Sequence, residues 1–279
     1  MEQDLIKHVC FVSDGHRSYA LINKLSTDNL YDVAYSTGAL NLENVIKITF
    51  DKLHIKYLTT NIISRENCIN RKAAGTTMAK MTIFLFKERL FDYFIKNEIR
   101  VKFIGDLDLF YSVSESPEKL KEVINEIESA TSSFNKYFLT MLTAYDPVYE
   151  YAKLISNNKN ENLNDFENYK KKLKNKYFGF EIPSVDFVIR TWWPRYSIIP
   201  ILVGEHADVY LFPGPQEVFN EEAYMKIIVD YKNRIKSKNK EEKFTVAEGS
   251  NLSKLKNKIS SVEPLIIGSM IDGFWVPIK

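Results

Sequence analysis

Short apolar runs alternate with longer segments of helical periodicity along most of the chain. Six of these runs are rich in valine, isoleucine, phenylalanine and tyrosine, which favours strands: 8–14, 55–61, 100–106, 137–145, 185–191 and 207–212. Most of them are apolar at successive positions, as in parallel strands that are buried on both faces. The alternation predicts an α/β fold with a mainly parallel central sheet flanked by helices.

The segment SPEKLKEVINEIE predicts one of these helices. Ser116 is expected at its N-cap and Pro117 at its first helical position. Its apolar residues share one face: Leu120, Val123, Ile124 and Ile127.

A longer helix is predicted over residues 72–97. Its apolar residues recur at spacings of three and four, and further ones widen the face: Ile83, Phe86, Leu90 and Phe94, then Phe84, Phe91 and Ile95. This is more apolar surface than one contact with a sheet needs. Core packing, a hydrophobic tunnel and a dimer interface all remain open.

The chain changes character towards its end. A polar stretch at 157–177 predicts a solvated loop and helix, and a further helix is expected at 216–237. The polar segment SKNKEEKFTVAEGSN, which follows that helix, is typical of a linker. We therefore expect a main domain at 1–237 and a C-terminal extension at 238–279.

Composition and charge restrict the partners and the cellular location that the sequence predicts. The chain has 279 residues, 45% hydrophobic and 27% charged, with a net charge of +2. This near-neutral charge gives no reason to expect nucleic acid as a partner, while the lysine runs leave weak attraction to anionic membrane surfaces open. The start MEQDLIKHVC is unlike a secretory signal, and no apolar run approaches the ~18 residues of a membrane span. The sequence therefore predicts a cytoplasmic protein.

Polar residues follow two of the predicted strands. Asp14 and Gly15 come after the first, where a carboxylate beside a glycine turn can hold a metal ion and free amides can meet a phosphate. Arg190, Arg195 and Ser197 come at the end of the fifth, and such groups suit a diphosphate. An ordinary Asp-Gly turn and surface ion pairs would explain the same residues. Neither stretch alone therefore establishes a metal site or a diphosphate site.

Five segments resemble, in the same order, the motifs of the cis-prenyltransferases, the undecaprenyl diphosphate synthase family. They are HVCFVSDGHRSYA (8–20), ISRENCINR (63–71), RVKFIGDLDLF (100–110), LTAYDPVYEY (142–151) and VDFVIRTWWPRYS (185–197). The third matches the family's FIGD strand very well, and the second carries one extra residue. The resemblance spans about residues 8–220.

The resemblance implies roles at the first motif. Asp14 would be the Mg²⁺-linked aspartate at which the allylic diphosphate leaves, and Gly15 would cradle that diphosphate together with His16 and Arg17. The family has a second metal-binding acid, and Asp208 falls on its position as a shorter carboxylate.

The other motifs imply further contacts. Arg190, Arg195 and Ser197 fall on the site of the second, homoallylic diphosphate. Ser64 and Asn67 fall on the loop that assists proton removal and orients substrate. That loop ends in Arg71, which we count with the substrate-binding residues.

This sequence departs from the family's pattern at the site itself. Tyr31 and Tyr35 stand near the positions of an arginine and a histidine that clamp the allylic diphosphate, and Asp146 begins the segment that replaces Gly-Gly-Arg. Trp192 and Trp193 replace the family's Gly-Glu segment between the two arginines. These indoles either shape the substrate cavity and stabilise a carbocation through their π faces, or pack on the C-terminal segment.

By resemblance, the chain is expected to be a Mg²⁺-dependent prenyltransferase and a homodimer. Its substrates would be isoprenyl diphosphates such as dimethylallyl, geranyl, farnesyl or isopentenyl diphosphate. The altered site favours a short or irregular product, branched or cyclised as in the lavandulyl branch of the family.

A terpene cyclase, an ordinary cis-polyprenyl diphosphate synthase and a non-catalytic partner subunit remain alternatives. Glycine-rich nucleotide motifs are absent from the sequence.

Overall fold

The computed structural model describes residues 5–25, 29–157, 166–195, 197–238, 267–271 and 274–278. It divides into two compact units, Met1–Asn220 and Glu221–Lys279. The first contains the six-stranded sheet and the candidate site. The domain boundary expected at residue 237 stays a prediction.

The first unit is built on a six-stranded sheet in which every neighbouring pair is parallel. Its strands are β1 (His8–Val12), β2 (Tyr57–Ser64), β3 (Ile99–Gly105), β4 (Tyr137–Tyr145), β5 (Phe187–Thr191) and β6 (Asp208–Phe212). Their spatial order is β3-β4-β2-β1-β5-β6, which places β1 in the interior of the sheet. The predicted α/β fold and each of the six strands are confirmed.

Helices connect these strands. They are α1 (His16–Ile22), α2 (Leu30–Lys47), α3 (Arg65–Asn70), α4 (Lys72–Thr82), α5 (Phe91–Asn97), α6 (Leu107–Ser112), α7 (Pro117–Thr131), α8 (Pro147–Ser156), α9 (Phe166–Phe178) and α10 (Ile201–Gly204). Helix α7 packs on β3, and its predicted apolar stripe is buried. Ser116 stands at its N-cap as expected, although its side chain makes no capping hydrogen bond.

The long helix predicted at 72–97 is interrupted. A π-helical segment, Ile83–Arg89, joins α4 to α5. Phe86, Leu90 and Phe94 are fully buried, and the Phe86 ring lies edge-on to Phe103 of β3 at 5.4 Å. The residues that widen the apolar face are more exposed, and Ile95 reaches 38% exposure. Part of this face is therefore core and part is surface.

His8 fixes the start of β1 between its neighbours. Its Nδ1 lies 2.9 Å from the Pro183 carbonyl oxygen, which only accepts, so we assign the proton to Nδ1. Its Nε2 then accepts from the Thr59 hydroxyl at 2.8 Å. Complete burial lowers the pKa of His8 to about 4, so the ring is neutral near pH 7.

The second unit contains α11 (Glu221–Lys238) and an antiparallel pair, β7 (Ile267–Ile271) and β8 (Phe274–Ile278). The predicted linker SKNKEEKFTVAEGSN begins at residue 237; its first two residues belong to α11, and the rest lies outside the described residues. Among the helices that the structure describes, none has the length and apolar content that crossing a bilayer requires.

Candidate active site

A cleft of about 400 Å³ lies where β1, β2, β4 and β5 end. Ligands of parallel α/β sheets bind at this edge, beyond the carboxyl ends of the strands. Every predicted site residue except Asp208 lines it: Asp14, Gly15, His16, Arg17, Ser64, Asn67, Arg71, Arg190, Trp192, Trp193, Arg195 and Ser197. The described lining carries four arginines against three carboxylates, which suits an anionic ligand.

Asp14 stands at the centre of this edge because it follows β1. Its main chain is tied to the end of β5, since its N–H donates to the Thr191 hydroxyl at 2.7 Å and its carbonyl accepts from that hydroxyl at 2.9 Å. Its Oδ2 accepts from Arg190 at 2.7 Å, and its Oδ1 accepts from the Gly15 N–H at 2.8 Å. The side chain is 37% exposed, so further ligands can reach it.

Gly15 is required by the turn that follows. Its φ is 98°, in the left-handed region that favours glycine. A Cβ there would lie 2.8 Å from the Pro215 Cα and 3.1 Å from the Trp192 Cβ. The turn therefore sits tightly against the segment after β6, where the Gln216 N–H donates to the Asp14 carbonyl at 3.0 Å.

Arg190 is buried behind Asp14, with 5% of its side chain exposed. It donates to the Trp193 carbonyl at 3.2 Å and to the Ser197 hydroxyl at 3.3 Å as well as to Asp14. Burial lowers the pKa of its guanidinium, and the Asp14 carboxylate opposes that shift. This network holds Asp14 after β1 and the segment after β5 in one hydrogen-bonded unit.

The two tryptophans both face the cleft. Trp192 is buried at a φ of 66°, and its backbone N–H is shared between the backbone carbonyls of Phe212 and Gly214 at 2.9 and 3.0 Å. The Arg195 guanidinium lies 4.9 Å from the centre of the Trp193 ring, within cation–π range. The indoles therefore form part of the wall around the arginines.

His16 turns towards a buried acid. Its Nδ1 lies 2.6 Å from Glu217 Oε1, and the Glu217 side chain is 3% exposed. A carboxylate only accepts, so we assign a proton to Nδ1. Gly38 leaves room for the ring, because a Cβ on that residue would lie 2.4 Å from His16 Nδ1.

The loop after β2 lies across the cleft from Arg190. Ser64 caps α3, with its hydroxyl accepting from the Asn67 N–H at 3.1 Å, and Arg71 lies between α3 and α4. Arg17 lies 5.9 Å from the Tyr31 ring, which stacks on Tyr35. Tyr35 lines the cleft, so a phenol stands where the family's allylic clamp was expected.

Asp208 does not line this cleft, and its role as a second metal ligand stays a prediction from the resemblance. Asp208 begins β6 opposite Phe187, the first residue of β5. Arg190 and the cleft lie at the other end of those strands, three residues further on and roughly 10 Å away at the usual rise per residue.

Two residues of the site were not singled out from the sequence. Asn61 of β2 accepts from the Ser13 N–H at 2.8 Å, and Thr191 fastens Asp14 as described above. Their positions could have identified them, because both are polar residues at the carboxyl end of a predicted strand.

The acids of the cleft fit a magnesium ion that is shared with substrate. Among the described residues, no three side chains of the histidine, cysteine or acid type stand close enough to cage a metal. Mg²⁺ commonly takes one or two carboxylates and completes its shell with water and substrate phosphates. The partly exposed Asp14 carboxylate offers such a ligand.

A small apolar cavity adjoins the cleft. The two share Ser13, His16, Tyr35, Asn61 and Ile62. Beyond these residues, its wall is mainly apolar: Ala39, Leu42, Met78, Met81, Leu85 and Phe86. Its volume is about 20 Å³, little more than one water occupies.

A parallel sheet with an arginine-lined cleft at its carboxyl edge, adjoined by an apolar cavity, defines a protein that can bind phosphorylated apolar ligands. Residues 12–239 match the family model described as putative undecaprenyl diphosphate synthase. The chain belongs to this family, the cis-prenyltransferases, and is a prenyltransferase.

Individual relatives agree with this assignment. The chain is 27% identical over 190 residues to a geranylgeranyl-diphosphate-specific tritrans,polycis-undecaprenyl-diphosphate synthase of Sulfolobus acidocaldarius, covering 66% of this chain and 68% of that one. It is 29% identical over 242 residues to a chloroplastic (2Z,6Z)-farnesyl diphosphate synthase of Solanum lycopersicum, covering 82% and 77%. Lavandulyl diphosphate synthase from Lavandula x intermedia, solved with dimethylallyl diphosphate, shares the fold with a TM-score of 0.60 at 18% identity, covering 81% and 94%.

Proposed function

We propose that the chain condenses short prenyl diphosphates in a Mg²⁺-dependent reaction and releases a short or irregular product, branched or cyclised. The observation that carries this proposal is the contrast between the two adjoining spaces. The arginine-lined cleft of about 400 Å³ has room for diphosphates and short prenyl groups, whereas the apolar cavity beside it adds only about 20 Å³ for hydrocarbon. A long polyprenyl chain needs a much larger dry space.

The residues divide into two diphosphate sites. The Gly15 turn and Arg17 would hold the allylic diphosphate, and Arg190, Arg195 and Ser197 the second one. When bound, Mg²⁺ on Asp14 and the diphosphate would neutralise charge that develops as the carbon–oxygen bond breaks. The arginines donate to the same oxygens, and the cleft brings the allylic carbon close to the acceptor alkene.

The aromatic wall favours an irregular product. Trp192 and Trp193 lie where their π faces can stabilise a carbocation at the cleft, and Tyr35 stands in place of a charged clamp. A terpene cyclase that acts on one diphosphate would use the same wall and is the second candidate.

The test is to incubate the purified protein and Mg²⁺ with dimethylallyl, geranyl or farnesyl diphosphate, each with and without isopentenyl diphosphate, and to identify products by mass spectrometry. A short product from allylic diphosphates alone is expected for irregular coupling or cyclisation. Long products formed only with isopentenyl diphosphate would instead indicate an ordinary polyprenyl synthase. No product from folded protein in any mixture would indicate a partner subunit.

A cytoplasmic location and weak attraction to anionic membrane surfaces stay predictions from the sequence.

A further inference from the structure

Helix α8 turns an apolar face to solvent beside the active-site cleft. Val148, Tyr151 and Ile155 recur at spacings of three and four, so they lie along one face of the helix. All three are exposed, Val148 by 71% and Ile155 by 48%. The acid of this helix, Glu150, is instead buried and accepts from the Tyr177 hydroxyl of α9 at 2.8 Å. This reverses the usual arrangement of a surface helix, in which the apolar residues face the core.

The apolar stripe, defined by Val148, Tyr151 and Ile155, reaches both the cleft and α10. Val148 lines the cleft. Tyr151 lines a small cavity of about 10 Å³ together with Ile201, the exposed first residue of α10, so these two side chains lie close together. The exposed apolar residues therefore form one connected patch, and such patches mark interaction sites.

The charges around the stripe are mainly positive. Lys153 carries the exposed charge of α8, and its Nζ lies 6.0 Å from the centre of the Tyr149 ring. Helix α9, which the hydrogen bond to Glu150 ties to α8, has five lysines and one acid, and Lys171 and Lys172 are exposed. The cleft that the stripe borders has four arginines against three carboxylates in its lining. Basic groups beside an exposed apolar stripe complement an anionic lipid surface.

Two further properties favour a bilayer over a second protein. Tyrosine side chains suit the boundary between lipid and water, and Tyr149 and Tyr151 are both exposed on α8. The helix that carries the stripe has ten residues, whereas a stable protein–protein interface buries about 800 Å² of each partner. A lipid surface needs no matching area, because a few inserted side chains and basic groups suffice for reversible binding.

We propose that α8 docks the protein on an anionic lipid bilayer. Val148, Tyr151 and Ile155 insert at the level of the headgroups, and the nearby lysines contact the headgroup phosphates. The cleft then opens beside the bilayer, where a prenyl diphosphate can enter with its apolar tail still in the lipid. The docking itself is independent of the reaction, whereas this delivery of substrate rests on the proposed function.

The test is flotation of the purified full chain with vesicles of phosphatidylcholine, alone or mixed with phosphatidylglycerol. The wild type should bind the mixed vesicles more tightly than the neutral ones, and less at high salt, which screens the lysines. Ile155→Glu should weaken binding at least about tenfold, since it replaces an inserted apolar side chain with a charge. The matched control is Val229→Glu, which places the same charge at a 54% exposed position of α11 and should bind as the wild type does.

Ile155→Lys separates insertion from simple charge attraction. It adds a positive charge but removes the apolar side chain, so it should bind the mixed vesicles less tightly than the wild type. Tighter binding would show that charge alone acts, and would overturn the docking of the stripe. A wild type that binds no vesicle, or an Ile155→Glu variant that binds as the wild type does, would overturn it too.

Two further measurements separate this proposal from its alternatives. Light scattering without vesicles shows whether Ile155→Glu lowers the mass of the protein. A lower mass, together with a wild type that does not float, would show that a second copy covers the stripe and would overturn lipid docking. Because flotation requires no turnover, a protein that floats as expected but forms no product would overturn the proposed function and the delivery of substrate, and would leave the docking in place.

Discussion

Asp14 and Arg190 meet in one ion pair at the cleft although 176 positions separate them along the chain. The guanidinium is nearly buried and the carboxylate is partly exposed, so the pair presents its acidic side to a ligand. Arg190 contributes a fixed positive charge behind the carboxylate. A buried charge left without its partner is strongly destabilising, which makes the choice of substitution important here.

We therefore predict that Asp14→Asn abolishes most turnover without unfolding the protein. Asparagine keeps an oxygen for Arg190 but loses the charge that we propose as a Mg²⁺ ligand, so the turnover number should fall at least on the order of 100-fold. Turnover and thermal unfolding are measured on the same preparation. A variant that keeps wild-type turnover would remove Asp14 from the mechanism.

His8 predicts a specific acid sensitivity. Its pKa is lowered from 6.5 to about 4 in the folded protein, so its contribution to stability is complete above pH 6.5 and is lost as the pH falls towards 4. The loss amounts to about 3 kcal/mol of unfolding free energy if the unfolded ring titrates normally.

Urea unfolding at several pH values checks this. His8→Gln has no titrating ring, and its unfolding free energy should fall less steeply than that of the wild type between pH 6.5 and 4. Parallel curves for the two proteins would contradict the assignment.

At the scale of elements, α2, α4 and the π-helical segment after α4 close the apolar cavity. Met81 of α4 lines it and is only partly buried, so shortening this side chain should enlarge the cavity at modest cost to stability. We predict that Met81→Ala shifts the product distribution towards longer chains. Mass spectrometry of the products checks this, with Met225→Ala as control because Met225 is 42% exposed on α11. An unchanged distribution would show that this wall does not limit product length.

The elements also show what the sequence could and could not predict. Apolar runs predicted every strand of the sheet, because strands buried on both faces leave a strong pattern. The π-helical segment Ile83–Arg89 could not be predicted, because its apolar residues keep a spacing typical of an α-helix. The resemblance assigned Asp208 a metal role but could not show at which end of β6 this residue lies.

At the scale of the whole molecule, the partly exposed apolar residues at 83–95 support the homodimer expected from the sequence. Phe91 is only partly buried, and the Lys87 ammonium lies 4.4 Å from the centre of its ring. A charge at this position should disfavour association through this face. We predict a dimer by light scattering for the wild type and a lower mass for Phe91→Glu, whereas Val229→Glu, at a 54% exposed position of α11, should remain a dimer. A monomeric wild type would contradict the prediction.

The parallel sheet has a consequence for the order in which a newly made chain acquires its site. Strand β1 pairs with β5, and the Asp14 carbonyl accepts from the Gln216 N–H, so the first motif is completed by residues made much later. Domains generally fold as units during synthesis, and long-range parallel pairing is slow. During synthesis, the turn at Gly15 therefore cannot make its final contacts until residue 216 has left the ribosomal exit tunnel. A chain released before that point would carry Asp14 without the arginine and the backbone amide that hold it in place.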